Sequence, residues 1–175
     1  MNSGIEIERK YVIKMPDVAT LRAMPDYTVS EISQTYLVST SEGVTERVRR
    51  RAHADGVRFY HTVKRRIDKI SCNEDEREIE ESEYLSLLNR RDASGKTIEK
   101  TRHTFSLGNL TVEIDKYRGW EGIAVLEVEL PTRETELTLP DFIEVIFEAS
   151  GRFELSNAGL YKHFPTESEL LSFYL

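Results

Sequence analysis

The strongest constraint in this sequence is alternation. Charged and apolar residues trade places along short segments, which is the period of a strand with two unlike faces. Eight such segments are expected as strands: Gly4–Ile13, Ser33–Ser39, Thr45–Ala52, Arg58–Arg66, Asn73–Ile79, Lys96–Phe105, Leu110–Tyr117 and Ala124–Leu130. Ser41-Glu42-Gly43, Ala54-Asp55-Gly56 and Leu107-Gly108-Asn109 read as hairpin connections. Helices are expected at Pro16–Met24, Ser82–Arg91 and Asp141–Ala149, with a short helical tail over Thr166–Leu175. The class is α+β. With 175 residues, no linker and no repeat, the chain reads as a single domain over 1–175.

The polar rows of these strands are dense in charge. Glu6, Glu8 and Lys10 share one face; so do Arg47, Arg49 and Arg51, then Thr62, Lys64 and Arg66. Glu74, Glu76, Glu78 and Glu80 form another row, followed by Lys100 with Arg102, Glu113 with Asp115, and Glu127 with Glu129. One such row is ordinarily a solvated face. Here most rows carry a single sign, and like charges two apart on one strand face repel. Repetition of that arrangement points to a bound species that requires it.

Eight antiparallel strands can close into a barrel wide enough for one small ligand. If the charged rows face inward, the apolar rows face outward and the helices cover them. Interior charges must be paired or must coordinate ions. Carboxylates offer hard oxygen ligands to Mg²⁺ or Mn²⁺, and arginines and lysines offer donors to phosphate. A metal-bound polyanion such as polyphosphate or a nucleoside triphosphate satisfies both sets.

The net charge of −7 argues against nucleic acid as a partner. No apolar run approaches the length of a membrane span, and no secretory leader is visible. With Cys72 as the one cysteine, a cytoplasmic location is expected. A small-molecule substrate is the expected partner, and a homodimer is admitted. His53, His61, His103 and His163 lack zinc spacing and read as ordinary histidines; Cys72 reads as a loop residue with no chemical role. Tyr36 is open between ligand contact and packing.

The ordered motifs also resemble a known family. Glu6-Ile7-Glu8-Arg9-Lys10 resembles the E-x-E-x-K signature of the CYTH superfamily, the triphosphate tunnel metalloenzymes. Gln34-Thr35-Tyr36-Leu37, Arg47-Val48-Arg49, Thr62-Val63-Lys64, Glu76-Arg77-Glu78-Ile79 and Glu99-Lys100-Thr101-Arg102 resemble its short bacterial members in order. Glu113-Ile114-Asp115, Leu126–Leu130 and the closing Asn157-Ala158-Gly159-Leu160 continue the match. Arg77 and His103 depart from the pattern and are expected to point outward.

The resemblance implies an eight-stranded tunnel and metal-dependent hydrolysis of inorganic triphosphate to diphosphate and phosphate. It implies metal carboxylates at Glu6, Glu8, Glu127 and Glu129, and phosphate ligands at Lys10, Arg47, Arg49, Lys64 and Arg102. Lys100 falls where the residue assisting the attacking water is expected, with Glu8 beside it in the catalytic set. Glu76, Glu78, Glu113 and Asp115 are expected as tunnel acids that orient the bases or hold a second metal. An adenylate cyclase of class IV, a thiamine or nucleoside triphosphatase and a non-catalytic polyphosphate-binding module are the alternatives.

Overall fold

A computed structural model describes residues 2–39 and 41–174, without the side chains of residues 2–5, so the expected outward placement of Ile5 lies outside the described side chains. Nine strands form one sheet: β1 (Asn2–Lys14), β2 (Thr28–Tyr36), β3 (Val44–His53), β4 (Gly56–Arg66), β5 (Ser71–Ile79), β6 (Ile98–Leu107), β7 (Leu110–Tyr117), β8 (Ile123–Glu129) and β9 (Val145–Glu148). Their spatial order is β5-β4-β3-β2-β6-β7-β8-β1-β9, and β5 also pairs with β1. That last pairing closes the first eight strands into an antiparallel barrel. The expected α+β class and closed eight-stranded barrel are therefore what the chain adopts.

Closure depends on the length of β1. Residues 2–7 pair with β5, while residues 8–14 pair with β8. Every strand pairs antiparallel, which the short hairpins permit. Gly108 turns the β6–β7 hairpin with φ of 59°, a left-handed conformation that glycine adopts without a Cβ penalty.

The apolar rows do face outward, and short helices cover parts of them. Tyr11, Ile13, Val112, Ile114, Leu126 and Val128 form one outer cluster with Leu21 of α1 (Val18–Arg22) and Ile143. Val48 and Ile79 form another with Tyr84 of α2 (Glu81–Leu87). Asp17 caps α1, its carboxylate accepting from the Thr20 amide at 3.3 Å. Arg77 and His103 also point outward, as expected. Arg77 pairs with Glu83 on α2, and the His103 ring bonds the Tyr27 hydroxyl at 2.8 Å.

The elements and the interior each need correction. The segment expected as a helix over Asp141–Ala149 forms β9 instead. Phe142, Ile143, Ile146 and Phe147 imitate a helical stripe, but Val145-Ile146-Phe147 also suits a strand. The edge of β1 decides between them. Beyond Ile7 that edge is no longer paired with β5, and β9 takes it through Tyr11↔Glu148 and Val12↔Phe147. The strand expected from Ser33 begins at Thr28. Helix α3 (Asn157–Lys162) was not expected at all, whereas the tail helix, α4 (Glu167–Tyr174), was.

The second correction concerns the interior, which is charged at one end only. Val12, Ile98, Tyr117 and Val125 continue the charged rows in the same parity, and they pack with Trp120, Leu155, Leu160 and Tyr161. Here α3 and the turn Phe153–Leu155 close the barrel with a dry core. Gly159 makes this possible: a Cβ there would stand 2.1 Å from the Phe153 carbonyl oxygen.

Candidate functional site

The charged end encloses a cavity of about 880 Å³. Its wall carries Glu6, Glu8 and Lys10 from β1, Arg47, Arg49 and Arg51 from β3, and Lys64 from β4. Glu74 and Glu76 come from β5, Arg102 from β6, Glu113 from β7, and Glu127 and Glu129 from β8. Alternation puts them there, since each wall residue lies two from the next on its strand. Of the expected site residues, Lys100, Asp115 and Glu78 do not line it. Lys100 and Asp115 are buried at the border with the dry core, and Glu78 is exposed near the end of β5.

The positive wall lies on β3 and β4. Arg49 donates to Glu76 at 2.6 Å, and Arg47 stands 3.7 Å from Glu74. Thr62 donates to the same Glu76 at 2.6 Å. Burial, with Arg47 alongside, pulls the Arg49 guanidinium down to about 10, so it stays charged at neutral pH. Both arginines keep a donor in reserve. The Nε atoms of Arg47 and Arg49 are buried with no hydrogen-bond partner among the described residues. An unpaired buried donor is costly, and a charged one more so. The two side chains nonetheless line the cavity, where their charge favours an anion.

The acids divide into two groups. Glu127 is held by Lys10 at 2.7 Å and Arg102 at 3.2 Å. Burial alone would raise it, but Lys10 and Arg102 keep it well below the carboxylate range. Asp115 is fully enclosed, receiving Lys100 at 2.5 Å and Arg102 at 2.6 Å. Burial opposes its ionisation, yet Arg102 and Lys100 hold its carboxyl down. Glu129 is the contrary case. It makes no ion pair among the described residues, and burial together with Glu6 and Glu113 pushes its carboxyl up. Glu8 lies opposite Glu129 across the β1–β8 ladder and, among the described residues, pairs only with Lys10, at 3.5 Å. Glu6 is paired to Lys64 at 2.8 Å.

This uncompensated negative region tests the fit of a metal. A crowd of hard carboxylate oxygens around a carboxyl that lacks a cationic partner is a donor set suited to a divalent cation of the Mg²⁺ or Mn²⁺ kind. Glu6, Glu8 and Glu129 offer donors of that chemical type. Glu127 does so less directly, because Lys10 and Arg102 already neutralise it. Among the described residues, no group of three His, Cys, Asp or Glu side chains stands at ligating distance. The carboxylates share a wall without converging on one point.

Cys72 is a cavity residue that sequence reasoning dismissed. Strand β5 starts at Ser71, two residues earlier than expected, and so places Cys72 opposite Glu6 in the wall. Its thiol lies 3.5 Å from the Glu6 carboxylate, and burial raises its pKa. Asn157 belongs to the closing motif, and the sequence alone assigns it no role. It lines the cavity from α3 and accepts from both Lys100 and Tyr117. Tyr36 lines the cavity and packs its ring 5.3 Å from that of Tyr161.

A closed barrel of this topology, with arginines, lysines and carboxylates lining one cavity, defines a class, and the comparisons agree with it. The CYTH domain model matches residues 4–163, so the chain belongs to the CYTH family. The inorganic triphosphatase NE1496 has 22% identity and a TM-score of 0.58, over 91% of this chain and 96% of its own. The PH1012 protein from Pyrococcus horikoshii OT3 has 22% identity and a TM-score of 0.56, over 74% of this chain and 80% of its own. A provisionally assigned adenylate cyclase from Bacillus halodurans has 15% identity and a TM-score of 0.51, over 77% and 84% respectively. At these identities the likeness establishes the fold. No curated protein matches the sequence. Among the described residues, no helix is long and apolar enough to cross a membrane.

Proposed function

We propose that this chain hydrolyses inorganic triphosphate to diphosphate and phosphate with the help of a divalent cation. The observation that carries the reading is a single cavity lined by Arg47, Arg49 and Lys64 together with Glu6, Glu8 and Glu129, the last without an ion pair among the described residues. The cavity's cations suit an anion, and its unpaired carboxylate suits a cation. A metal-bound polyphosphate supplies both. Family membership and the triphosphatase NE1496 among its structural relatives support the same reading.

Glu6, Glu8, Glu127 and Glu129 would be the residues to hold Mg²⁺ or Mn²⁺, whose chemistry when bound would be to neutralise phosphate charge and make phosphorus more electrophilic. The rest of the chemistry belongs to the side chains. Arg47, Arg49, Lys64 and Lys10 bind the phosphate chain, and Arg102 supports the charge that develops on the leaving oxygen. Glu76 and Glu113 orient the arginines that they accept from. Asp115 holds Lys100 and Arg102 side by side. Burial pulls the Lys100 ammonium down to about 8 despite Asp115, which leaves a usable neutral fraction for taking a proton from water. The dry core behind Lys100 keeps bulk solvent from that end. Catalysis by opposed charges of this kind is electrostatic preorganisation in an enclosed site.

A panel of tripolyphosphate, ATP and thiamine triphosphate, each with Mg²⁺ or Mn²⁺, tests the proposal. Phosphate release greatest with tripolyphosphate is expected. Greater release from ATP or thiamine triphosphate would assign the neighbouring activity, cyclic AMP from ATP would assign a cyclase, and tight binding without turnover would leave a polyphosphate-binding module. Size-exclusion chromatography with light scattering tests the homodimer, and partition of the native protein tests the cytoplasmic location.

A further inference from the structure

Lys100 does not line the cavity, yet the proposed reaction needs it at the cavity's inner end. What links the two is Asn157. Its Oδ1 lies 3.1 Å from Lys100 Nζ and 2.7 Å from the Tyr117 hydroxyl. An ammonium can only donate, so the amide oxygen, not the amide nitrogen, faces Lys100. The Tyr117 hydroxyl donates to the same oxygen and opposes an amide flip. Lys100 thus has two acceptors, Asp115 on the barrel wall and Asn157 on α3.

The surrounding sequence fixes Asn157 in place. Ser156 caps α3, its hydroxyl accepting from the Gly159 amide at 3.1 Å. Gly159 lets the helix approach the Phe153 carbonyl, and Leu160 anchors it in the dry core. Each residue of the Asn157–Leu160 stretch named here has a physical task, and that of Asn157 is polar at an otherwise apolar plug.

We infer that Asn157 is a positioning residue for Lys100, its side-chain oxygen, locked by Tyr117, holding the Lys100 amine at the border between the dry core and the charged cavity. The inference rests on the triphosphatase reading for its kinetic consequence and on geometry alone for the contact. Asp115 by itself would leave the flexible lysine stem free to turn about one hydrogen bond. A second acceptor from a separate element fixes its direction, and loss of orientation at a reacting group costs rate more than binding.

The test pairs kinetics with the side-chain ammonium ¹H–¹⁵N NMR signal of Lys100, identified by its loss in Lys100→Arg. Asn157→Leu keeps bulk and removes the acceptor. It is expected to lower kcat for tripolyphosphate with Mg²⁺ by about 10- to 100-fold while KM stays within about threefold. The ammonium signal should exchange away in this variant and persist in Asn157→Asp, which keeps an acceptor of the same shape. Tyr117→Phe should weaken the signal in an otherwise folded protein. An Asn157→Leu protein with the wild-type ammonium signal and wild-type kcat would overturn the inference. A wild-type protein that releases no phosphate would remove the triphosphatase reading alone. The comparison of ammonium signals would still decide whether Asn157 holds Lys100.

Discussion

The two ends of the barrel interior are built from the same strands and behave as different materials. On β1, Glu6, Glu8 and Lys10 give way to Val12; on β8, Glu129 and Glu127 give way to Val125; on β6, Arg102 and Lys100 give way to Ile98. One step of two residues carries the wall from a charged cavity to an apolar core. The difference shows how a short chain can afford an interior full of charge. The dry end supplies the burial that folding requires, sealed by Leu155, Leu160 and Tyr161, while the wet end holds donors that its own acids do not exhaust. Asp115 sits on the seam and binds Lys100 and Arg102 together.

Mutations along that seam separate the two materials. The largest stability effect is expected from Asp115→Ala. It leaves two buried cations without their shared acceptor, and breaking such a pair costs about 3–5 kcal/mol; urea unfolding measures it. Loss of less than about 1 kcal/mol would mean that water enters the seam freely. Leu160→Ala in the dry end comes next, at about 2–4 kcal/mol from lost burial and a cavity. It should lower Tm at every ionic strength alike, because no charge is involved. Gly159→Ala follows at about 1–3 kcal/mol, since its new Cβ meets the 153–154 backbone and overpacking strains the site. Lys14→Ala, outside the barrel, gives the smallest change. Its pair with Glu144 at 2.6 Å is about two-thirds exposed on both sides, and such pairs contribute no more than about 1 kcal/mol.

The pH dependence sharpens the same boundary. Lys100 is brought down to about 8 by burial. Below that pH it is an ammonium and cannot accept a proton; above it the amine is free. Triphosphate hydrolysis is therefore expected to rise with pH through about 8, as measured by kcat/KM at fixed metal. A profile flat across pH 7–9 would remove Lys100 from the proton transfer.

Much of this was legible in the sequence, and the gaps have physical causes. Period-two alternation placed the wall acids and bases correctly because parity alone decides which face a strand residue takes. Parity also announced the dry end, since Val12 and Val125 share the parity of Lys10 and Glu127, but attention to charges passed over them. Val145–Glu148 was hidden because its stripe fits two periods, and only the vacated edge of β1 selects the strand. Cys72 was lost to a strand boundary two residues off. The border position of Lys100 was out of reach, because it depends on α3, which packs from far along the chain.

The central claim is that the charged end is a triphosphate site completed by ligand. Calorimetric titration of tripolyphosphate into the wild type and into Arg49→Met, with Mg²⁺ present, tests it most directly. The account expects saturable binding to the wild type, weakened at least about tenfold in the variant through loss of a buried charged donor. Equal affinity in both proteins, or no binding to the wild type, would contradict it.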